Sequence, residues 1–221
     1  MALKGTSLEF SKNLLILGCG GHSKVVTEVA ELIGFKSISY LDNDNNKNIF
    51  LDREVSNSVV ENYQEYFFVA IGDNALRESV FNQFKRKNKN AIPVSLIHPS
   101  SIISPRCLIG NGTLIMPLCV INSCTKIGDG VVINTNTSVD HDNCLKNFSS
   151  LAPGVTTGGN VFIGERSAIS LGASITPGIK IGEDVVVGAS SLVTKDILNN
   201  WVAFGTPAKM IRERKQGEKY L

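Results

Sequence analysis

The sequence predicts a small α/β domain followed by a long parallel β-helix. The β-helix is indicated by an aliphatic residue at every sixth position from Ile97 to Val193, interrupted at Thr157 and continued without an insertion or deletion. The α/β domain is indicated by short apolar runs that alternate with helical patterns between residues 13 and 96. A helix repeats at about 3.6 residues and a half-buried strand at about 2. A repeat of six instead fits hexapeptides that each form one strand and one turn.

Three hexapeptides close a triangular coil of roughly 18 residues, so residues in successive coils stack about 4.8 Å apart. The aliphatic residues are expected to fill the interior, and glycines to relieve the turns, where backbone conformations are costly to other residues. A second series, four positions after the aliphatic residues, is mostly small and is expected to fit where the interior narrows. Its first members are Ser101, Cys107, Thr113, Cys119, Thr125, Val131 and Thr137.

Composition narrows the function classes. The formal net charge is +2, and the one basic run, residues 85–89, is interpreted as the solvated end of a helix and not as a nucleic-acid site. The first residues show no signal-peptide pattern, and no run approaches the ~20 apolar residues that span a bilayer. The five cysteines have no metal-ligand spacing, so we expect core cysteines, no metal and a reducing cytoplasm.

The N-terminal elements predict a Rossmann-like parallel sheet. Residues 1–12 are expected to be a flexible leader, residues 13–96 the α/β domain, residues 97–198 the β-helix and residues 199–221 a C-terminal tail. Strands are predicted at 13–17, 37–41 and 66–71, with helices at 25–34 and 75–87. Asn74 is predicted to cap the second helix.

A glycine loop, residues 18–24, follows the first strand and opens the first helix. Its N–H groups and the helix N-terminus are suited to phosphate. Asp42, at the end of the second strand, has the position of a ribose-binding acid in dinucleotide folds, yet Ser23 replaces the third glycine of that motif. Nucleotide-phosphate binding, dinucleotide binding and a structural turn all remain open.

His141 is the candidate general base. It lies at a predicted turn between Asp140 and Asp142, and Gly159 lies one coil further on, beside the interruption at Thr157. An imidazole can accept a proton near neutral pH, and an adjacent carboxylate can fix its tautomer. Gly159 is expected to leave room for a ligand and to offer an N–H to a thioester carbonyl.

The whole chain resembles the sugar acetyltransferases typified by the bacillosamine-pathway enzyme, with sialic acid O-acetyltransferases and perosamine N-acetyltransferases as relatives. The motifs that carry the resemblance are residues 17–26, 41–43, 70–74, 97–99, 139–142, 152–154 and 205–209. The resemblance implies a left-handed β-helix and a homotrimer with acetyl-CoA between neighbouring subunits. Apolar residues on the flat outer faces of the prism, such as Met116, Leu118 and Phe162, are expected to be covered in that trimer. Two positions differ from the bacillosamine enzyme, because Ser150 stands in place of a histidine and Asp142 in place of a glutamate.

The resemblance also implies site residues. His141 is the base and Asp142 orients it. The nucleotide-linked sugar is assigned to Gly20, Gly21, His22, Lys24, Asp42, Asn43 and Asp73, and acetyl-CoA to Gly159, Gly172, Gly188, Ala189, Pro207 and Lys209.

The expected activity is N-acetylation of the 4-amino group of a nucleotide-linked amino-deoxysugar, a UDP sugar being favoured. Acetyl-CoA is the expected donor, with direct transfer. One alternative is a sugar O-acetyltransferase of the sialic acid type. The other is a nucleotide-binding oxidoreductase or sensor with a structural, trimerising β-helix.

Overall fold

The computed structural model describes residues 12–58, 60–215 and 218–219. The predicted leader, residues 1–12, lies outside the described residues except for Lys12. The chain forms a mixed sheet flanked by two helices, followed by a β-helix.

The N-terminal sheet has the order β3-β4-β2-β1-β5-β6, and every neighbouring pair is parallel except β3 with β4. This confirms the predicted Rossmann-like sheet. The elements are β1 Leu14–Leu17, α1 Gly21–Ile33, β2 Ile38–Leu41, β3 Ile49–Phe50, β4 Arg53–Ser56, β5 Tyr66–Val69, α2 Asn74–Lys87 and β6 Ile92–Pro93.

The two helices differ from prediction at their starts. α1 begins at Gly21, four residues before the predicted start, because the apolar pattern used for the prediction appears only after the first turn. The Ser23 hydroxyl in that turn bonds back to the Gly18 carbonyl at 2.6 Å. α2 is capped by Asp73, whose carboxylate accepts from Leu76 N at 2.9 Å. The prediction of Asn74 as the cap was therefore wrong.

The β-helix consists of two-residue strands on three faces. The first face contains β7 Leu96–Ile97, β10 Leu114–Ile115, β13 Val132–Ile133, β16 Ser150–Leu151, β19 Ala168–Ile169 and β22 Val186–Val187. The second contains β8 Ile102–Ile103, β11 Val120–Ile121, β14 Ser138–Val139, β17 Thr156–Thr157, β20 Ser174–Ile175 and β23 Leu192–Val193. The third contains β9 Leu108–Ile109, β12 Lys126–Ile127, β15 Cys144–Leu145, β18 Phe162–Ile163 and β21 Lys180–Ile181.

Register follows the repeat. Residues 18 apart pair in parallel, as Ile115 does with Ile133. The aliphatic series and the small series both line the interior through most of the coil. Two C-terminal strands extend the first face as an antiparallel hairpin, β24 Trp201–Gly205 and β25 Ala208–Glu213.

Glycine has two separate uses in the coil. Positive φ recurs every six residues, three positions after the aliphatic residue, at 112, 118, 124, 130, 136, 142, 148, 154, 160, 166, 172, 178, 184 and 190. The glycines directly after an aliphatic residue have no such φ. They allow close coil packing instead, since a Cβ on Gly164 would lie 2.4 Å from the Gly182 backbone. The expectation that glycines relieve the turns is therefore confirmed at 112, 130, 154, 172 and 178, and it was wrong for the glycines directly after an aliphatic residue.

The two domains share one apolar core and a polar joint. α1 buries Val26 and Val29 against the first face of the coil, including Leu114. On α2, Arg77 is 1% exposed and donates from Nε to the Gly130 carbonyl at 2.9 Å. Its Nη2 donates to Asn74 Oδ1 at 2.7 Å. These contacts hold the sheet domain against the coil.

Candidate active site

His141 lies in the turn that joins the second face to the third, after β14 and before β15. Its backbone N–H donates to Asp140 Oδ1 at 2.8 Å. Its Nδ1 lies 2.8 Å from Asp142 Oδ2. Asp142 occupies the recurrent left-handed position with φ 58°, which aspartate tolerates better than most residues. The hexapeptide turn therefore brings the carboxylate beside the imidazole.

The Asp142 carboxylate controls the state of the imidazole. A carboxylate only accepts hydrogen bonds, so Nδ1 carries the proton and Nε2 keeps its lone pair. The hydrogen bond to Asp142 and then the charge of Asp140 raise the pKa of His141. Both side chains of the pair are more than half exposed in the single chain. The pair is thus an accessible base with a defined tautomer.

Gly159 lies against the ring of His141. A Cβ on Gly159 would lie 2.6 Å from Nε2, so glycine makes room for the imidazole itself. This space was expected to hold a ligand. Within the described part of the chain the Gly159 N–H has no hydrogen-bond acceptor, whereas its carbonyl accepts from Gly178 N at 2.9 Å. A basic nitrogen and a free N–H therefore lie close together.

The interruption at Thr157 belongs to this turn. Thr157 is buried in the interior column, and its hydroxyl accepts from Asp140 N at 3.3 Å. A polar residue replaces an aliphatic one here because it bonds to the turn below.

Asn143 is a site residue that the sequence analysis missed. Its amide bonds to the backbone of the His141 turn and of the coil above, at Asp140, Gly158 and Val161. The available signal was an asparagine in the small series, where most other members are Thr, Ser, Cys, Ala or Val.

The predicted sugar-binding residues gather at one edge of the N-terminal sheet. The glycine loop follows β1, Asp42 and Asn43 follow β2, and Asp73 follows β5, so all lie at the carboxyl ends of neighbouring parallel strands. Ligands commonly bind at this edge in open α/β sheets. Asp73 is engaged in capping α2.

The glycine loop is open to solvent. A Cβ on Gly20 or on Gly21 would meet nothing within 4 Å, and Lys24 is exposed. His22 differs, because its Nε2 is buried without a hydrogen-bond partner among the described residues. Burial, and then the charge of Arg77, lower the pKa of His22 to about 4. It is therefore neutral at physiological pH.

Asp42 stabilises the loop. Its Oδ2 accepts from Cys19 N at 2.7 Å and from Lys47 Nζ at 3.2 Å, and its Oδ1 accepts from Asp44 N at 3.0 Å. Burial would raise the pKa of Asp42, but the hydrogen bonds from Asp44, Cys19 and Lys47 outweigh it and lower the pKa. The carboxylate is thus ionised and bonded within the protein, while Asn43 beside it is exposed.

The predicted acetyl-CoA residues fall on two edges of the prism. Gly172, Gly188 and Ala189 lie in turns between the first and second faces. The hairpin loop that contains Pro207 joins this edge, since Thr206 Oγ1 donates to the Ser190 carbonyl at 3.3 Å; Lys209 follows in β25. Gly159 lies with His141 on the other edge, between the second and third faces.

Three apolar residues were predicted on outer faces that a trimer would cover. Met116 is instead buried in the core shared with the N-terminal domain, so the prediction was wrong for Met116. Leu118 is 60% exposed at a turn. Phe162 is half-buried on the third face, with Lys146 Nζ 5.8 Å from its ring centroid.

Membrane-spanning helices and metal-binding clusters are both absent from the described residues. Neither α1 nor α2 has the length and apolar character to cross a bilayer. No group of three or more His, Cys, Asp or Glu side chains in the described ranges is arranged to hold a metal ion.

The N-terminal domain and the β-helix each match a known protein family. Residues 13–84 match the PglD N-terminal domain, and residues 106–141 match the bacterial transferase hexapeptide repeats. The chain is 31% identical to a histidine-to-alanine variant of GDP-perosamine N-acetyltransferase from Caulobacter crescentus, solved with CoA and GDP-perosamine. That match covers 91% of this chain and 97% of the other, with a TM-score of 0.82.

Two further structures are similar. The acetyltransferase domain of PglB from Neisseria gonorrhoeae FA1090, solved with acetyl coenzyme A, is 32% identical over 90% of this chain and 99% of that chain, with a TM-score of 0.84. WeeI from Acinetobacter baumannii AYE is 21% identical over 90% of this chain and 99% of that chain, with a TM-score of 0.80, and supports the fold.

Proposed function

Because the chain belongs to the nucleotide-sugar acetyltransferases that combine a PglD N-terminal domain with hexapeptide repeats, we propose that it N-acetylates a nucleotide-linked amino-deoxysugar with His141 as the general base. The acetyl donor is acetyl-CoA and the acceptor is the 4-amino group. We take a UDP sugar as the expected acceptor, on the resemblance to the bacillosamine enzyme.

The observation that carries the proposal is the His141–Asp142 pair beside Gly159. With Nδ1 held by Asp142 at 2.8 Å, Nε2 is the atom that accepts the proton of the attacking amine. The new C–N bond forms as the C–S bond of the thioester breaks, and the CoA sulfur leaves as a thiolate that takes up a proton. The Asp142 carboxylate stabilises the imidazolium that forms.

Gly159 supplies the complementary electrostatic role. Its free N–H is suited to the negative charge that develops on the thioester oxygen. A side chain at 159 would displace the imidazole, so this position serves both the base and the donor.

We further propose that the site is completed by a neighbouring subunit of a homotrimer. His141 and Gly159 lie on one edge of the prism, while Gly172, Gly188 and Ala189 lie on another. Acetyl-CoA can contact both groups of residues at once where the His141 edge of one subunit meets the Gly172 edge of its neighbour. The exposure of His141 and Asp142 in the single chain supports this arrangement, since such contact would exclude water from the reaction.

The two ends of the sugar nucleotide have separate sites in this proposal. The glycine loop and Asn43 hold the nucleotide, and the amine reaches His141 in the coil. Binding energy from the remote nucleotide then serves to orient the amine.

The test is an acceptor panel. UDP-, dTDP- and GDP-linked 4-amino sugars and matched hydroxyl sugars are incubated with acetyl-CoA, and products are identified by mass spectrometry. We expect acetylation of an amino sugar, and a loss of turnover of about 10²- to 10⁴-fold in His141→Ala with unchanged acetyl-CoA affinity. Acetylation of hydroxyl sugars alone would contradict N-acetylation. Turnover of His141→Ala near that of the parent protein would remove His141 from the mechanism.

A further inference from the structure

Asn143 is a fully buried amide at the corner that carries His141. It is 1% exposed. Its Nδ2 lies 2.7 Å from the Asp140 carbonyl, 3.0 Å from the Gly158 carbonyl and 3.3 Å from the His141 carbonyl. Its Oδ1 accepts from Val161 N at 3.1 Å. Carbonyls surround one end of the amide and an N–H meets the other, so the hydrogen-bond network defines the amide orientation.

Other polar residues of the small series make a simpler contact. Thr113 Oγ1 donates to the carbonyl of the residue 15 positions on, Gly128, at 2.9 Å. Ser167 Oγ donates to the equivalent carbonyl, that of Gly182, at 2.6 Å. Ser167 Oγ also accepts from the N–H of the residue 18 positions on, Val185, at 2.9 Å. Asn143 makes both of these bonds, to Gly158 and Val161, and it adds bonds to the Asp140 and His141 carbonyls of its own turn. Together these bonds join the turn that carries His141 to the coil above.

We propose that Asn143 is a positioning residue that sets the separation between the His141 imidazole and the Gly159 N–H. This inference rests on the proposed function, in which those two groups act together. The imidazole is more than half exposed, and among the described residues its ring hydrogen-bonds only to Asp142, so its position depends on the backbone of residues 140–142. The Asn143 side chain links that backbone to the carbonyl directly before Gly159.

A displacement of the base relative to the oxyanion donor is costly, since about 1 Å of misplacement can reduce turnover by about 10²-fold. Loss of the bonds to Asp140 and His141 would release the His141 turn from the Asn143 side chain and allow it to move relative to the coil above. Loss of the bonds to Gly158 and Val161 would weaken the general contact between coils. The two contributions can be separated by substitution.

Asn143→Thr is the discriminating variant. Threonine already occupies this series at 113, 125 and 137. Its hydroxyl can retain the bonds to Gly158 and Val161, since Thr125 makes the equivalent two bonds, while the bonds to the Asp140 and His141 carbonyls are lost. Asn143→Cys is the second variant, because cysteine occupies the series at 107 and 119. Thr113→Cys is the matched control, in the same series but remote from His141.

The measurements are kcat, both KM values, thermal stability and the ¹⁵N signals of the histidine rings without ligand. We expect Asn143→Thr to lower kcat by about 10- to 100-fold with each KM changed by less than about threefold. The Nδ1 signal and the pKa of His141 shift, while the ring signals of His98 stay in place. Thr113→Cys leaves kcat and the His141 signals as in the parent protein.

Three results would overturn the proposal. The first is a kcat within about twofold of the parent in Asn143→Thr. The second is a fall in kcat without any change in the His141 ring signals or pH profile. The third is failure of both Asn143 variants to fold while Thr113→Cys folds, which would make Asn143 a residue of the fold. If the parent protein acetylates no amino sugar, the proposed function fails, and the ring signals still report whether Asn143 positions His141.

Discussion

The guanidinium of Arg77 crosses from the N-terminal domain into the β-helix and donates from Nε to the Gly130 carbonyl at 2.9 Å. Its Nη2 reaches the Phe148 carbonyl at the same distance. Arg77→Met removes the donors and leaves buried carbonyls without partners, so the free energy of unfolding should fall by about 3 kcal/mol or more, measured by urea denaturation.

Arg53 is the control for this prediction, because its pair with Glu31, at 2.6 Å, is partly exposed. Arg53→Met should change the free energy of unfolding by no more than about 1 kcal/mol. Equal small losses in the two variants would mean that Arg77 does not stabilise the joint.

Gly159→Ala should reduce turnover with little loss of stability. The new Cβ would lie 2.6 Å from Nε2 of His141, and the exposed ring can move away at small cost to the fold. We expect kcat to fall by about 10-fold or more, because the base is displaced. In a His141→Ala background the same change should have almost no further effect on kcat. A full additional loss of kcat in that background would show that Gly159 acts independently of His141.

Gly164→Ala should destabilise the coil. Its Cβ would lie 2.4 Å from the Gly182 backbone, and backbone atoms can yield only by separating two coils. We expect the free energy of unfolding to fall by roughly 1–3 kcal/mol. Gly178→Asn is a contrasting change, because φ there is positive and asparagine already occupies the equivalent left-handed positions 136 and 160. A lower Tm for Gly178→Asn than for Gly164→Ala would contradict this distinction between the two kinds of coil glycine.

Asp142→Asn should move the acidic limb of the kcat/KM profile to lower pH. Asp142 raises the pKa of His141, and the base is active only when neutral, so losing the carboxylate lowers the pH at which activity disappears. Activity falls as well, since the amide no longer stabilises the imidazolium. Asparagine tolerates the left-handed backbone at 142, so the turn should persist.

Asp140→Asn is the matched comparison for that profile. The Asp140 charge is the second cause of the raised pKa of His141, and the amide oxygen can still accept from His141 N. We expect a shift in the same direction but smaller. If the acidic limb of the kcat/KM profile stays in place in both variants, that limb does not report the protonation of His141.

Gly21→Val should weaken the nucleotide sugar and leave acetyl-CoA unaffected. A Cβ at 21 meets no protein atom within 4 Å, so the fold should accept the valine while the ligand loses its approach to the loop. Calorimetry with each ligand decides this. Equal loss of both ligands would indicate a folding defect, and unchanged sugar affinity would indicate that the loop is only a turn.

The coil could be predicted closely because the positions of its strands follow directly from the spacing of residues along the sequence. Each aliphatic residue from Ile97 to Val193 marks one strand, and pairing at 18 residues follows from three strands per coil. The start of α1 could not be predicted from periodicity, because glycine, histidine and serine in its first turn carry no apolar signal. The capping error had a similar origin, since Asp73 and Asn74 are both good caps and the buried amide of Asn74 bonds to Arg77 instead.

The candidate site was predicted in part. Acid-flanked His141 and the overlying Gly159 follow from the repeat, and the structure brings them into contact. The roles of Thr157 and Asn143 depend on side-chain hydrogen bonds between coils, which a spacing rule does not contain. The burial of Met116 depends on docking of the N-terminal domain, which no local pattern reports.

The stacking of residues 18 apart also fixes distances along the β-helix. The N-terminal domain is fixed to three successive coils, by Arg77 at Gly130 and Phe148 and by Asn74 at Arg166, and His141 lies between the first two of these points. Gain or loss of one complete coil there would keep every face in register but would separate contacts that the single side chain of Arg77 makes together. Gain or loss of a single hexapeptide would carry His141 to a different edge of the prism. The span of substrate that can bridge the two domains is therefore fixed together with the joint, and whole coils can be gained or lost only outside it.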